Sequence, residues 1–190
     1  ALPADGDSDP TLDFGFVTYT PTISVVKKDA AGNDANTAAD AVDLTSAGGI
    51  TGLNFTITNT GTEPLSDVVV TDAVTAGSGT VKDLTCTFPD GSKGTTWAGP
   101  FAPSESFPCT ATLSDVKPGT SHTDVVTVAG KGQFSGTSVT ATDPYNASVK
   151  AAVVPPTKKP TPKPTMAATG AGGTIAGLAG AGVLLLAGAG

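Results

Sequence analysis

The sequence predicts an all-β protein, an antiparallel β-sandwich of about seven strands, on three observations. Gly, Ala, Thr and Val fill much of the chain, whereas only 14% of the residues are charged and 5% are aromatic; this composition suits short strands and turns. Strand-like runs recur at short, fairly even spacing and are separated by Gly, Pro and Asp turns. No segment of the body carries a convincing helical period.

The predicted strands follow one another along the body of the chain, residues 20–151. In the second run, Leu53, Phe55 and Ile57 lie on one face and Thr56 and Thr58 on the other, so one face is apolar and the other polar. The turns are Asn59-Thr60-Gly61, PDGSKG and KPGTSHT. The runs are TISVVKKD, ITGLNFTITNTG, LSDVVVTDAV, VKDLTCTF, SFPCTATL, DVVTVAG, GTSVTATD and YNASVKA.

The two cysteines, Cys86 and Cys109, are too few for a zinc site. They are either buried free thiols or one disulfide. Each alternates with apolar residues on one face of a predicted strand, which points both thiols into the core and favours pairing. A disulfide implies an oxidising location outside the cytoplasm.

Charge and the scarcity of reactive groups exclude several functions. Residues 1–154 hold all 17 acidic residues against seven lysines, a net charge of −10, and the chain has no arginine, so we expect no nucleic-acid partner. The single histidine, His122, is predicted in a surface turn, so no hydrolytic triad is expected and the chain is predicted not to be an enzyme. Trp97 is either a core plug or a ligand-stacking ring.

The opening segment, residues 1–19, is acidic and then strand-like. Asp5, Asp7 and Asp9 have the spacing of a calcium loop but lack its full pattern, and the alternative is a plain acidic turn without a cofactor. The words DPTLDFGFV resemble the last strand of SdrD B-like (Cna B-type) domains of Gram-positive surface proteins. The resemblance implies that residues 1–19 end a preceding module.

The body resembles the DUF11/DUF7507 family of Ig-like repeats in bacterial surface proteins. The resemblance rests on GLNFTITNTG, LSDVVVTD, PSES with CTATL, and VVTVAG in this order; Asp124 stands where the family usually has Asn. It implies an Ig-like fold for residues 20–151 and a spacer that presents other domains. The alternative is an adhesin module that itself binds a host glycan or extracellular-matrix protein.

Some Gram-positive surface folds of this kind contain a self-formed isopeptide bond between a lysine and an asparagine or aspartate, promoted by a buried acid. Lys27 and Lys28 lie on the first predicted strand, Asp72 ends a central one, and Asp124 and Asn146 lie on late ones. These residues are candidates for such a bond, and exposed lysines with turn aspartates are the alternative.

The tail combines three features in order. Residues 152–165 are rich in Pro and Lys and predict an extended linker that suits an anionic cell wall. The pentapeptide Met166, Ala167, Ala168, Thr169 and Gly170 follows. Residues 171–190 carry no charge and are long enough for a helix that spans a bilayer.

This order resembles a sortase cell-wall sorting signal, usually Leu-Pro-x-Thr-Gly or Leu-Ala-x-Thr-Gly, although Met166 replaces Leu and the usual closing Lys/Arg are missing. The resemblance implies three partners: sortase, peptidoglycan and, transiently through residues 171–190, the membrane. It predicts the C-terminal fragment, itself cut short, of an extracellular Gram-positive wall protein.

Overall fold

The computed structural model describes residues 18–159, which form an all-β sandwich of two five-stranded sheets. The predicted fold class is confirmed at this level. Within the described residues there are ten strands, three of them only two residues long, and two short 3-10 helices. The strands are β1 (Ile23–Asp29), β2 (Val42–Asp43), β3 (Thr51–Asn59), β4 (Leu65–Gly77), β5 (Thr80–Thr87), β6 (Lys93–Gly94), β7 (Thr96–Trp97), β8 (Ser106–Ser114), β9 (Thr120–Gly132) and β10 (Ser138–Val149).

The strand order is that of an immunoglobulin-like sandwich. One sheet has the order β1-β3-β8-β5-β6 and the other β2-β10-β9-β4-β7. The seven long strands therefore divide into a four-stranded and a three-stranded group with the connectivity of an Ig constant-type domain. The long-strand pairs within each sheet are antiparallel, and only the two-residue β2 runs parallel to its neighbour β10.

The structure corrects the sequence analysis at two places in the second sheet. The runs GTSVTATD and YNASVKA form one continuous strand, β10, which passes through Pro144. Pro144 pairs in register with Val125 of β9, and β2 covers the other side of β10 only at Ala147 and Ser148. The missing N–H group of the proline therefore faces an open edge, where a strand tolerates it. The predicted turn KPGTSHT ends earlier, because β9 already begins at Thr120.

The core lies between the sheets and is built from alternating residues of the long strands. β3 buries Leu53, Phe55 and Ile57, as its alternation predicts. Phe88, Trp97, Phe101 and Phe107 form an aromatic group at one end of this core, with neighbouring ring centroids about 5 to 6 Å apart. Burial of these rings adds to the hydrophobic stabilisation of the sandwich.

The domain begins and ends at opposite ends of β9. The ring of Tyr19 packs at a tilt of 46° against Phe134, just beyond the last residue of β9, with ring centroids 4.8 Å apart. Val149, the last residue of β10, pairs with Thr120, the first residue of β9. Thirteen residues of strand separate these two places, a distance of about 40 Å at 3.3 Å per residue.

The entering chain is held closely against the loop after β3. Thr60 and Thr62 donate their backbone N–H groups to the carbonyl oxygens of Thr22 and Thr20, at 3.1 and 3.0 Å. Gly61 lies between them, and a Cβ there would stand 2.6 Å from backbone atoms of the entering segment. This close approach requires glycine.

Residues 152–159, the described part of the predicted linker, have no regular secondary structure and are exposed. Residues 1–17 and 160–190 lie outside the described part. That range holds the acidic segment with Asp5, Asp7 and Asp9, the sorting motif and the predicted hydrophobic helix. Between residues 18 and 159, no helix is long and apolar enough to cross a membrane.

Candidate functional site

A lysine side chain is buried completely between the two sheets. On β1, Ile23, Val25, Lys27 and Asp29 face inward, while Lys28 is exposed. Lys27 is 0% exposed, and its Nζ lies 5.4 Å from the centre of the Phe55 ring. A buried ammonium is costly unless charged and polar groups surround it.

Two carboxylates of the opposite sheet supply that environment. Nζ of Lys27 donates a hydrogen bond to Asp124 Oδ2 at 2.6 Å and to Asp72 Oδ1 at 3.0 Å. Asp72 Oδ2 is also close, at 2.8 Å, but is not aligned for a hydrogen bond. All three side chains are 0% exposed. Asp72 and Asp124 lie on the neighbouring strands β4 and β9, two positions apart in register, and therefore share one face of the sheet.

The environment favours a proton on Asp72. Burial raises the pKa of Asp72 to about 6; the positive charge of Lys27 opposes this rise, and the negative charge of Asp124 adds to it. Asp72 can therefore hold and release a proton near neutral pH, which an exposed aspartate cannot do.

His122 is the fourth member of this group and corrects the expectation of a surface turn histidine. It is 1% exposed and lies on β9. Its Nδ1 is 2.7 Å from the carbonyl oxygen of Ser78, and since a carbonyl oxygen only accepts, Nδ1 is the donor of this hydrogen bond. Its Nε2 faces Asp124 Oδ1 at 3.4 Å, and neither atom has a hydrogen-bond partner among the described residues.

Two more carboxylates fix the position of β1. Asp143 of β10 accepts a hydrogen bond from the backbone N–H of Lys27 at 2.6 Å, and burial raises the pKa of Asp143. Asp29 accepts a hydrogen bond from the hydroxyl group of Tyr145, which also lies on β10, at 3.1 Å. Burial alone would raise the pKa of Asp29, but hydrogen bonds from Asn33, Tyr145 and the loop backbone lower it. These bonds hold the edge strand β1 against the opposite sheet.

The candidate isopeptide residues are thus divided by the structure. Lys27, Asp72 and Asp124 come together, and both Lys28 and Asn146 lie apart from them. Asn146 is buried on the other face of β10, where its amide group donates to the carbonyl oxygen of Ala35 and accepts from Thr123. Sequence reasoning missed Asp143 and His122, although both stand among alternating residues of predicted strands.

Cys86 and Cys109 form a disulfide between the neighbouring strands β5 and β8, where the two residues are direct partners. Both are buried. Their sequence separation of 23 residues gives a cross-link worth about 3 kcal/mol in the chain-entropy model.

Trp97 is a core residue, in agreement with the first of its two interpretations, a core plug, and not with a ligand-stacking ring. Its ring is 8% exposed and stacks on Phe88 at 5.3 Å, and its Nε1 donates to Asp90 at 2.9 Å. Its edge lines a shallow, open depression of ≈ 290 Å³ together with Asp67, Val68, Val69, Thr96 and Ala98. A ring already stacked on another aromatic side chain cannot present that face to a ligand.

Metal ligands do not cluster in the described part of the chain. Within residues 18–159, no group of three or more His, Cys, Asp and Glu side chains is placed to hold an ion. The chemistry that the site offers is that of one amine and two carboxyl groups in contact and away from water.

The chain has several distant structural neighbours among solved proteins. The chain resembles the CARDB domain of a Pyrococcus furiosus protein, solved in complex with di-metal ions, with a TM-score of 0.34, 13% identity and coverage of 75% of this chain and 98% of that one. It also resembles a family 123 glycoside hydrolase from Clostridium perfringens that hydrolyses glycolipid glycans, with a TM-score of 0.37 and 9% identity over 70% of this chain. The chain spans only 28% of the length of that hydrolase. No family model and no curated protein matches the sequence.

Proposed function

We propose that this chain is part of a cell-wall-anchored bacterial surface protein and that its sandwich is a spacer that presents other domains. The observation that carries the proposal is the position of the two ends. The chain enters beside Phe134 and leaves beside Thr120, at opposite ends of β9. Each such domain therefore adds about its full strand length, ~40 Å, to a chain of domains.

The surface and interior of the sandwich favour the role of a spacer and not that of a binding module. Tight binding depends on a few large anchors, chiefly Trp, Tyr and Arg. Trp97 and Tyr145 are used in the core, the chain has no arginine, and Tyr19 packs on Phe134 at the entrance. The disulfide supports an extracytoplasmic location, because such bonds persist in oxidising compartments.

Attachment to the wall is the part of the proposal that the tail sequence supports. The Pro/Lys linker, the pentapeptide 166–170 and the uncharged run 171–190 follow in the order of a sorting signal. We propose that sortase cleaves after Thr169 and joins it to peptidoglycan, with residues 171–190 holding the chain in the membrane beforehand.

The test is to produce the chain behind a secretion signal in a Gram-positive host and to release wall fragments with a muramidase. A peptide that ends at Thr169 and carries a peptidoglycan stem is the expected product, and Thr169→Ala should abolish it. Recovery of mature protein that still contains residues 170–190 would contradict anchoring.

The spacer role needs a separate measurement. The purified chain should show no saturable binding to glycan arrays or matrix proteins at about micromolar Kd or tighter. Binding that is lost in Phe134→Ala, which truncates an exposed aromatic ring, but kept in Val26→Ala, another exposed apolar residue, would favour the adhesin alternative.

A further inference from the structure

We propose that the two exposed aromatic rings at the entrance of the sandwich, Tyr19 and Phe134, form a docking surface for residues 11–17 of the same chain. The contact would stiffen the joint between the sandwich and whatever precedes it. The inference goes beyond the spacer role and does not depend on wall attachment, because both partners belong to one chain.

The two rings stand apart from every other aromatic side chain of the described residues. Phe134 is 59% exposed and Tyr19 is 44% exposed, whereas the other aromatic side chains between residues 18 and 159 are buried in the core. The two exposed rings also lie together, with centroids 4.8 Å apart. Aromatic residues that remain at a protein surface are typical of contact sites, since they bury a large apolar area when a partner covers them.

A buried carboxylate holds the turn that carries Phe134. Glu63 is 0% exposed, and its Oε2 accepts hydrogen bonds from the backbone N–H groups of Phe134 and Ser135 at 2.8 and 3.0 Å. The N–H group of Gln133 donates to the carbonyl oxygen of Pro64 at 2.9 Å. These bonds offset the cost of burying a carboxylate and fix one conformation of the turn. The Phe134 ring is therefore presented by a fixed backbone, and docking against it costs little conformational entropy.

The path of the entering chain leads to this surface. Thr62 holds the chain on both sides of Tyr19: its backbone N–H group donates to the carbonyl oxygen of Thr20 at 3.0 Å, and its hydroxyl group donates to that of Thr18 at 3.2 Å. Pro64, two positions further on, has no N–H group with which to continue this ladder. The segment that precedes Thr18 is therefore tethered next to the two rings and is not taken up by pairing with the loop after β3.

Residues 11–17 have the composition that such a surface requires. Their sequence is TLDFGFV, in which Asp13 carries the one charge. The apolar residues are Leu12, Phe14, Phe16 and Val17. Seven extended residues reach about 23 Å at ~3.3 Å each, which is enough to cover two neighbouring rings. Covalent attachment gives this segment an effective concentration on the order of millimolar at the surface, so even a weak contact is populated.

Charge complementarity favours this segment over a second copy of the domain. Lys131, near the end of β9, is exposed, and a Cβ at Gly136 of the turn would stand 3.9 Å from its Cε. The chain before residue 18 has no lysine, and it contains four carboxylates, at Asp5, Asp7, Asp9 and Asp13. The positive charge beside the turn therefore attracts the segment, whereas two copies of an acidic domain repel each other.

Hydrogen–deuterium exchange of the full chain tests the contact. The amides of residues 12–17 should exchange on the order of tenfold more slowly than those of a free peptide of the same sequence, and Phe134→Ala should remove most of this protection. The matched control is Val26→Ala, which truncates an exposed apolar side chain in the middle of β1 and should leave the protection unchanged. The amides of β9 report in the same measurement that both variants are folded.

Hydroxyl-radical footprinting measures the same contact from the other side. Labelling of the Phe134 ring should increase when the apolar surface of the segment is removed by the combined changes Leu12→Ser, Phe14→Ser and Phe16→Ser. Wild-type exchange of residues 12–17 at the rate of the free peptide would overturn the proposal, and so would protection that survives in Phe134→Ala. Protection that increases with protein concentration would also overturn it, because the occupant would then be a second copy and not the chain's own segment.

Discussion

Replacing Lys27 by Met tests how much the buried cluster of Lys27, Asp72 and Asp124 stabilises the fold. The substitution keeps an unbranched side chain of similar length but removes the cation. Asp72 and Asp124 then remain in the core without their partner. Removing one member of a buried ion pair costs about 3–5 kcal/mol.

A loss of about 3–5 kcal/mol is a large part of the whole free energy of unfolding of many domains, which is about 5–15 kcal/mol. Urea unfolding of the full chain, followed by Trp97 fluorescence, measures it. The matched control is Lys28→Met, since Lys28 is exposed on the same strand, and it should change stability by less than about 0.5 kcal/mol.

The pH dependence of Lys27→Met separates the charge effect from other damage. The pKa of Asp72 is about 6 with Lys27 present, and it should rise further once the opposing cation is gone. A carboxyl group with a raised pKa binds more protons in the folded than in the unfolded state. Folding is therefore favoured as pH falls through that pKa, by up to about 1.4 kcal/mol per pH unit for one proton.

Lowering the pH from 7 to 5 should therefore restore about 2 kcal/mol to Lys27→Met. Stability of Lys27→Met within about 1 kcal/mol of Lys28→Met at pH 7, or a further loss of stability on acidification, would refute this account of the cluster.

Three further changes test contacts elsewhere in the sandwich. Cys86→Ser combined with Cys109→Ser should lower the free energy of unfolding by about 3 kcal/mol, and unreduced protein should show no labelled thiol on unfolding; two labelled thiols would count against the disulfide. Asn59→Ala should cost about 2–3 kcal/mol in urea unfolding, because the buried amide of Asn59 donates to two backbone carbonyl oxygens and accepts from a backbone N–H; a loss below about 0.5 kcal/mol would contradict this. Tyr145→Phe should cost about 1.5 kcal/mol, since its hydroxyl is the buried donor to Asp29; unchanged thermal unfolding would contradict a role for that bond.

The fold could be predicted because alternation and turn residues are local signals. Leu53, Phe55 and Ile57 specify the inner face of β3 by themselves, and the positions of most long strands follow in the same way. The join of two runs into β10 could not be predicted, because Pro144 normally marks a strand end. Pro144 fits inside the strand because its missing N–H group faces an open sheet edge, and that edge is a feature of the tertiary structure.

The cluster could be predicted only in part, because it depends on which face each residue takes. β1 reads Val-Val-Lys-Lys, so either lysine could face inward. Asp72 and Asp124 meet because of the register of β4 against β9, which shifts at two irregularities, between Ser66 and Val69 and between Val74 and Ala76. A one-residue slip would turn an aspartate to the other face. No local pattern specifies such shifts, and the inward position of His122 depends on the same register.

The placement of the two ends of the domain also determines how it bears load. Tension between Tyr19 and Val149 pulls β1 from its first residue and β10 from its last, and both strands run in the same direction from the Phe134 end to the Thr120 end. The force therefore acts along the strands and stretches the hydrogen bonds between β1 and β3 together, not one after another. Forced unfolding is governed by the unfolding rate, and simultaneous rupture of many bonds makes that rate small. A domain loaded in this direction would thus keep its length under tension.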